Sequence, residues 1–205
     1  MRIGLDFDNT IVSYDSLFHK IACDWGAIPK NIQVNKVAIR DYLRSVGLES
    51  VWTEMQGFAY GKCMDQAVAY AGVINFLGWA RDKGHEVFVI SHKTQFPFSG
   101  PQYDLRQAAT DWIDCHLVSE GKPLIHKANI FYENTKQEKL FRIALTNCNW
   151  FLDDLPEILS ASGFSIKTRG VLFDPDKNHE VEVFTTFLRV HSWHEFLAVL
   201  MGEAS

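Results

Sequence analysis

The sequence predicts an α/β fold in which a parallel sheet lies between two layers of helices, with a small helical unit inserted after the first strand. Three observations lead to this prediction. Short apolar segments alternate with segments of helical spacing over most of the chain, several apolar segments end in acidic or polar residues, and residues 14–70 show helical spacing without a convincing strand. Parallel sheets of this kind bind ligands at the carboxyl ends of their strands.

The pattern begins with the first strand and the insertion that follows it. The segment Arg2-Ile3-Gly4-Leu5-Asp6-Phe7-Asp8 is short, apolar-rich and ends in carboxylates, as expected of a buried strand that opens on a binding site. After Ser13 the apolar residues are spaced as on helices, and they are Leu17, Ile21, Trp25, Val37, Ile39, Tyr42, Leu43, Val46, Val51, Met55 and Phe58. We therefore expect a core domain over 1–13 and 71–205 and a helical cap over 14–70.

Strands and helices alternate again after the insertion. A helix over 73–82 is predicted to end at Lys83-Gly84, and the β-branched run 86–90 leads into Ser91. Further strands are predicted at 130–132, 150–152 and 170–174, and further helices at 105–113, at 137–145, from Pro156, and from a Ser192 cap to Leu200. This alternation is typical of a parallel sheet that helices cover on both faces.

Composition limits the classes of protein that the chain can represent. Its 205 residues, 47% of them hydrophobic, suit one globular domain with a small insertion. A formal net charge of −5 argues against non-specific nucleic-acid binding, and no apolar run reaches the roughly 18 residues of a membrane span. The first acidic residue comes too early for a secretory signal, and the four cysteines are widely separated. We therefore expect a cytoplasmic protein with reduced thiols.

Acidic and polar residues follow three of the predicted strands. Asp6-Phe7-Asp8-Asn9-Thr10 follows the first strand, Ser91 follows the second, and Asp153-Asp154 follows a later one. Alternate side chains of an extended chain share a face, so Asp6 and Asp8 are able to approach one ligand if the strand continues as far as Asp8. Several carboxylates in a small volume repel each other, and a hard divalent cation removes this conflict. The sequence therefore predicts a Mg²⁺ site, since no histidine or cysteine pattern indicates another metal.

Four sequence motifs occur in an order that resembles one protein family. Asp6-Phe7-Asp8-Asn9-Thr10-Ile11 resembles the DxDxT signature of the haloacid dehalogenase-like (HAD) phosphatases. Ser91 resembles the serine or threonine of the second motif, Lys136 the lysine of the third, and Phe151-Leu152-Asp153-Asp154 the acidic pair of the fourth. Lys139 lies one helical turn from Lys136, and either lysine is able to point into the site. We prefer Lys136, because it follows the predicted strand at 130–132 through a short loop and would open the helix.

The resemblance implies a phosphatase that works through a covalent intermediate. Asp6 would be the nucleophile that forms an aspartyl-phosphate, and Asp8 would protonate the leaving group and then activate water. Ser91 would donate a hydrogen bond to a phosphate oxygen. Lys136 would balance the charge of the phosphoryl group and of the nucleophile.

The resemblance also implies how the cofactor Mg²⁺ and the substrate are bound. The metal would be held by Asp6, by the main-chain carbonyl of Asp8 and by Asp153, with Asp154 either a further ligand through water or a support of the loop. The candidate substrate contacts are Asn9, Thr10, His92 and Lys93. A polar loop also predicts such residues without any function. The expected partner is a small phosphorylated metabolite, and the sequence does not indicate an oligomeric state.

Several alternatives stay open for the substrate and the reaction. The inserted helices and the segments Val171-Leu172-Phe173 and Val190-His191-Ser192-Trp193 are similar to the 5′(3′)-deoxyribonucleotidase branch, but equally compact relatives act on sugar phosphates. A phosphotransferase or phosphomutase would use the same aspartyl-phosphate, and a non-catalytic binding module would keep only the fold. Dehalogenation is disfavoured, because the dehalogenases of this superfamily lack the second aspartate, which is Asp8 in this sequence.

Overall fold

The computed structural model describes residues 1–179 and 187–203. Residues 180–186 and 204–205, which belong to the predicted core domain, lie outside the described residues. The strands are β1 (Arg2–Leu5), β2 (Val12–Ser13), β3 (Val68–Ala69), β4 (Glu86–His92), β5 (Val118–Ser119), β6 (Lys122–Pro123), β7 (Ile130–Glu133), β8 (Trp150–Asp153), β9 (Arg169–Phe173) and β10 (Leu188–Val190). The α-helices are α1 (Asp15–Asp24), α2 (Lys36–Ser45), α3 (Glu49–Tyr60), α4 (Val73–Asp82), α5 (Leu105–His116), α6 (Lys136–Leu145), α7 (Pro156–Leu159) and α8 (Trp193–Glu203). Short 3-10 helices occupy Met64–Gln66 and Lys127–Asn129.

Six of these strands form one parallel sheet in the order β10-β9-β8-β1-β4-β7. The chain moves outwards from β1 to β4 and β7, and then crosses to the other side of β1 for β8, β9 and β10. The carboxyl ends of β1 and β8 therefore flank the topological switch point, where such sheets bind ligands. The α/β class predicted from the sequence is confirmed.

Helices pack on both faces of the sheet. Successive side chains of a strand point to opposite faces, so a strand with apolar residues at successive positions makes both faces apolar. On β4, Phe88 and Ile90 point to one face, where they join a buried cluster with Ile143 of α6 and Ile158 of α7. Val87 and Val89 occupy the alternate positions and are also buried. A strand that is buried on both faces has a nearly continuous run of apolar residues. The run within 86–90 therefore predicted a buried strand.

Helices α4 and α8 pack together through aromatic side chains. The ring centroid of Phe76 lies 5.0 Å from that of Trp193 and 5.2 Å from that of Phe196. The hydroxyl oxygen of Ser192 accepts a hydrogen bond from the main-chain N–H of Glu195 at 3.1 Å, which confirms the predicted cap of the last helix. No described helix is both long and apolar enough to cross a membrane.

The chain divides into two compact units. The first comprises Met1–Ile11, Ala69–His92 and Leu117–Ser205 and holds the six-stranded sheet. The second comprises Val12–Val68 and Lys93–His116 and holds α1, α2, α3 and α5. The sequence predicted only 14–70 for the helical unit, whereas the structure groups α5 with the same helices.

Helix α5 is held within the second unit by specific contacts. The indole N–H of Trp112 donates to the carbonyl oxygen of Ala67 at 2.9 Å, and both groups are buried. In the same unit the rings of Phe18 and Trp52 pack with their centroids 5.0 Å apart. Large aromatic residues each bury a large apolar area, so contacts of this kind stabilise a small unit.

Candidate active site

The candidate active site lies at the carboxyl ends of β1 and β8. The parallel register pairs Leu5 with Leu152, so Asp6 and Asp153 follow as neighbours on adjacent strands. The main-chain N–H of Asp6 donates to the carbonyl oxygen of Leu152 at 2.9 Å, which fixes the position of Asp6 at the sheet edge. Both carboxylates are buried. The sheet topology thus brings together two acids that are far apart in the sequence.

The loop after β1 turns tightly and reaches the second acid of the Asp153-Asp154 pair. The main-chain N–H of Ile11 donates to the carbonyl oxygen of Phe7 at 3.0 Å. Asn9 has a φ of 59°, in the left-handed region that asparagine tolerates better than most residues. Its side-chain amide donates to Asp154 Oδ2 at 3.3 Å, so the loop restrains the carboxylate of Asp154.

A buried lysine joins the two strands. Lys139 Nζ donates to Asp6 Oδ1 and to Asp153 Oδ2, each at 2.6 Å. Asp153 is restrained further, because its Oδ1 accepts from the main-chain N–H of Leu155 at 2.9 Å. One ammonium group therefore bridges carboxylates from β1 and from β8.

The structure corrects the sequence prediction of Lys136 as the lysine of the site. Lys136 lies on the exposed side of α6 and forms an ion pair with Glu157, with 48% of the lysine side chain exposed. Thr135 caps the helix in a capping box, so Lys136 is its first residue. The face towards the sheet holds Lys139 and Ile143, both buried and four residues apart.

The same four-residue spacing does not separate the two lysines in the sequence, because Leu140 stands four positions after Lys136 just as Ile143 does after Lys139. An apolar residue four positions after a lysine places both on one helix face. In the sequence Lys136 is favoured only by its place after a short loop, at the start of the helix.

Burial and neighbouring carboxylates set the charge balance of the site. Burial raises the pKa of Asp6 to about 7. The neighbouring carboxylates of Asp153 and Asp8 add to this rise, whereas the ammonium of Lys139 opposes it. Burial also disfavours the ammonium of Lys139, but attraction by Asp153 and Asp6 is stronger and raises the pKa of this lysine. Lys139 is therefore charged at neutral pH, while the acids around it carry more negative charge than one lysine offsets.

Three carboxylates converge closely enough to share a cation. Ligand oxygens of Asp6, Asp153 and Asp154 all lie within 4.8 Å of one another. Among the described residues, this is the one group of three or more acidic, histidine or cysteine side chains with such spacing. An all-oxygen set with excess negative charge fits a hard divalent ion such as Mg²⁺. The side chain of Asp8 is not part of the group.

The remaining candidate residues of this unit lie around the same sheet edge. Ser91 is buried near the end of β4, the strand beside β1. The hydroxyl of Thr10 is buried and has no hydrogen-bond partner among the described residues, while its carbonyl oxygen accepts from the indole of Trp193 at 3.1 Å. His92 is exposed, with Nε2 3.0 Å from the carbonyl oxygen of Asn134. Lys93 is buried and belongs to the second unit.

No protein-family model and no curated protein sequence matches the chain.

Solved structures are similar over nearly the whole length. A haloacid dehalogenase-like family hydrolase from Xanthomonas campestris is 12% identical with a TM-score of 0.58, over 98% of this chain and 95% of the other. A β-phosphoglucomutase from a Pyrococcus species is 14% identical with a TM-score of 0.54, over 98% and 99%. A HAD phosphatase from Thermococcus onnurineus is 16% identical with a TM-score of 0.52, over 98% of both chains.

Proteins with different reactions share this architecture, so the likeness identifies a fold and leaves the reaction to the site. In this chain the six-stranded order places acidic residues at the switch point. The chain therefore has the fold of the HAD-superfamily hydrolases.

Proposed function

We propose that the chain is a Mg²⁺-dependent phosphatase that hydrolyses a small phosphomonoester through an aspartyl-phosphate on Asp6. The observation that carries this proposal is the position of Lys139, whose ammonium donates to Asp6 and to Asp153 at 2.6 Å. A fixed positive charge beside a buried carboxylate suits a reaction in which phosphoryl charge must be stabilised. In phosphoryl transfer such positioning and electrostatics supply most of the acceleration.

Asp6 is the residue best placed to attack phosphorus. Its carboxylate oxygen would form the new P–O bond while the bond between phosphorus and the leaving oxygen breaks. Asp8 would donate a proton to that leaving oxygen. In the second half of the reaction Asp8 would take a proton from water, whose oxygen would attack phosphorus, release phosphate and regenerate the Asp6 carboxylate.

Asp6, Asp153 and Asp154 would hold Mg²⁺ through their converging oxygens. The bound ion would neutralise negative charge on the carboxylates and on the phosphoryl oxygens. The amide of Asn9 orients Asp154. Ser91 would donate to a phosphoryl oxygen from the neighbouring strand.

The proposed substrate is a small soluble metabolite in the cytoplasm, a nucleotide or a sugar phosphate, and not a nucleic acid. The net charge of −5 would disfavour a polyanion and is compatible with a small anion beside a metal and a lysine. The cysteines are all free, in keeping with a reducing compartment.

The proposal is tested by phosphate release from p-nitrophenyl phosphate with and without Mg²⁺. We expect turnover by the wild type that chelation abolishes, and a loss of about a thousandfold or more in Asp6→Asn. Exposed Asp82→Asn makes the same change of charge far from the acids in sequence and should retain the wild-type rate. Equal rates in wild type and Asp6→Asn would show that Asp6 is not the nucleophile.

A further inference from the structure

The loop over residues 6–11, between β1 and β2, carries both aspartates of the proposed reaction. We call it the 6–11 loop. In a loop the main chain sets the direction of each side chain, and a displacement of a reacting group by about 1 Å can cost about a hundredfold in rate. The contacts that fix the main chain of this loop therefore bear on what Asp8 can do.

Hydrogen bonds to its main chain hold the 6–11 loop from several sides. The N–H of Ile11 donates to the carbonyl oxygen of Phe7 at 3.0 Å, and the N–H of Tyr70 donates to the carbonyl oxygen of Ile11 at 2.9 Å. The indole N–H of Trp193 donates to the carbonyl oxygen of Thr10 at 3.1 Å. This last bond joins the loop to a side chain that lies 183 positions away in the sequence.

The bond between Trp193 and Thr10 is buried at both ends. Only 1% of Trp193 is exposed, and Thr10 is fully buried. Loss of the donor would leave a buried carbonyl oxygen unpaired, which costs more than the loss of a bond at the surface. The hydroxyl of Thr10 has no hydrogen-bond partner among the described residues. Thr10 is therefore held through its carbonyl oxygen and not through its hydroxyl.

Packing and a helix cap fix the direction of the indole. The ring centroid of Trp193 lies 5.0 Å from that of Phe76 and 6.1 Å from that of Phe173. Trp193 is the first residue of α8, and the hydroxyl of Ser192 caps this helix by accepting from the N–H of Glu195 at 3.1 Å. Aromatic rings packed in this way have little freedom to turn. The indole N–H is thus a fixed donor.

This donor engages the loop at its tightest point. Asn9, directly before Thr10, has a φ of 59° in the left-handed region. Such a conformation persists when its surroundings hold it in place. Asp8 directly precedes Asn9, so the direction of its side chain depends on the same turn. Release of the Thr10 carbonyl would therefore free the main chain within two residues of Asp8.

We propose that Trp193 is a positioning residue of the active site, whose indole N–H holds the 6–11 loop so that Asp8 protonates the leaving oxygen. This inference rests on the proposed function, because it concerns the proton that Asp8 would donate while the bond between phosphorus and that oxygen breaks. Trp193 is buried and acts through the main chain of Thr10. Its loss should affect most those substrates whose leaving group needs the proton.

The first experiment measures the loop itself, so that the result does not depend on turnover. Hydrogen–deuterium exchange with mass spectrometry, without added Mg²⁺, compares the wild type with Trp193→Phe, which keeps an aromatic ring and removes the donor. In the peptide over 6–12 we expect the N–H of Ile11 to exchange at least about fivefold faster in the variant. Strand β4, which lies next to β1, should keep its exchange rate.

The second experiment varies the leaving group in the presence of Mg²⁺. Phenyl phosphate and p-nitrophenyl phosphate have similar shapes, but phenolate is the stronger base and gains more from a proton as it leaves. In Trp193→Phe we expect kcat/KM to fall about tenfold or more for phenyl phosphate and about threefold or less for p-nitrophenyl phosphate. A merely structural loss would lower the two values equally.

Trp112→Phe is the matched control. Trp112 is also buried, and its indole also donates to a main-chain carbonyl oxygen, that of Ala67 at 2.9 Å, but in the second unit. This variant should leave the exchange of the 6–11 loop and the ratio of the two kcat/KM values unchanged. If Trp193→Phe does not fold, 3-benzothienylalanine at position 193 replaces it, because sulfur in place of the N–H keeps the ring shape without the donor.

Unchanged exchange of the 6–11 loop in Trp193→Phe, or an equal rise in Trp112→Phe, would overturn the inference. So would a rise that extends to β4, or equal losses of kcat/KM for the two substrates. Faster exchange of the loop alone, together with a wild type that releases phosphate from no substrate, would contradict the proposed function and support the hold of Trp193 on the loop.

Discussion

Asp6 lies at a buried position where the negative charge of its carboxylate is unfavourable. Burial is the largest cause of its raised pKa, and the carboxylates of Asp153 and Asp8 add to it against the opposing effect of Lys139. In the proposed reaction Asp6 must be ionised to attack phosphorus, so that reaction requires a further positive charge at the site at neutral pH. Proteins often tolerate such local instability at functional positions.

This electrostatic cost predicts a pH-dependent gain in stability for Asp6→Asn. The folded protein protonates Asp6 at about pH 7, against an ordinary value of 3.8. Between these values the folded state binds more protons than the unfolded state, so the free energy of unfolding of the wild type falls as the pH rises through this window. Asp6→Asn lacks this titration. In metal-free buffer the difference in free energy of unfolding between Asp6→Asn and the wild type should therefore be greater at about pH 8 than at about pH 5, by roughly 2–3 kcal/mol in favour of the variant.

Urea unfolding of both proteins with a chelator present, at the two pH values, measures this difference. Asp82→Asn changes an exposed aspartate and should show no such trend. A difference in free energy of unfolding between Asp6→Asn and the wild type that does not depend on pH would contradict the raised pKa of Asp6.

The two lysines of α6 give a matched test of the site. Lys139→Met removes the ammonium that bridges Asp6 and Asp153, and we expect a loss of phosphate release of about a hundredfold or more. Lys136→Met removes only an exposed ion pair and should change the rate by less than about threefold. Steady-state kinetics on p-nitrophenyl phosphate, with circular dichroism as a folding check, decide the outcome. Similar losses in both variants would remove Lys139 from the mechanism.

The sequence identified the acids of this site more readily than its lysine. Asp6 and the Asp153-Asp154 pair each end an apolar strand, and a strand end fixes where a side chain emerges. Lys136 and Lys139 lie on a helix, where one turn separates inside from outside. Choosing between them requires knowing which face of α6 meets the sheet, which depends on packing.

At the scale of elements, β1 needs a residue without a side chain next to β8. A Cβ built on Gly4 would lie 2.5 Å from Cδ2 of Phe151 and 2.9 Å from Sγ of Cys148. These distances are shorter than real carbon contacts, and the ring of Phe151 is fully buried. The close approach of β1 to this core cluster thus depends on glycine.

Gly4→Ala should therefore lower the free energy of unfolding by about 1–3 kcal/mol through overpacking. Gly78 lies inside α4, where an added Cβ meets nothing within 4 Å. Gly78→Ala should raise the free energy of unfolding by about 0.5–1 kcal/mol, because alanine favours helix more than glycine does. Urea denaturation of the two variants should give opposite signs, and a stabilised Gly4→Ala would contradict the described packing of β1.

The elements were predicted well where local patterns determine them. The apolar run at 86–90, the helix stop at Lys83-Gly84 and the cap at Ser192 each act within a few residues, and β4, α4 and α8 follow them. The grouping of α5 with the helical unit was not predicted. The amphipathic pattern of α5 shows that one face of this helix is buried. It does not show that the indole of Trp112 donates to the carbonyl oxygen of Ala67.

At the scale of the whole molecule, one sheet topology serves proteins with different reactions. The order β10-β9-β8-β1-β4-β7 creates a switch point at the ends of β1 and β8. In this chain the switch point has acidic residues from both strands, and the residues around it would select the reaction. A cation bound there would contribute to the stability of the fold as well as to the proposed activity.

Mg²⁺ should accordingly stabilise the whole protein through Asp6, Asp153 and Asp154. Binding only to the folded state at about 10 mM Mg²⁺, with a dissociation constant near 1 mM, adds roughly 1.4 kcal/mol. For a chain of this size the Tm should rise by about 3–5 °C in thermal unfolding monitored by circular dichroism. Asp154→Asn weakens the three-carboxylate group without touching Lys139 and should lose at least half of this rise. Asp82→Asn, with the same loss of charge at an exposed position, should keep it. An equal rise in Asp154→Asn and wild type, or a rise that NaCl of equal ionic strength reproduces, would show that the carboxylates do not bind the ion.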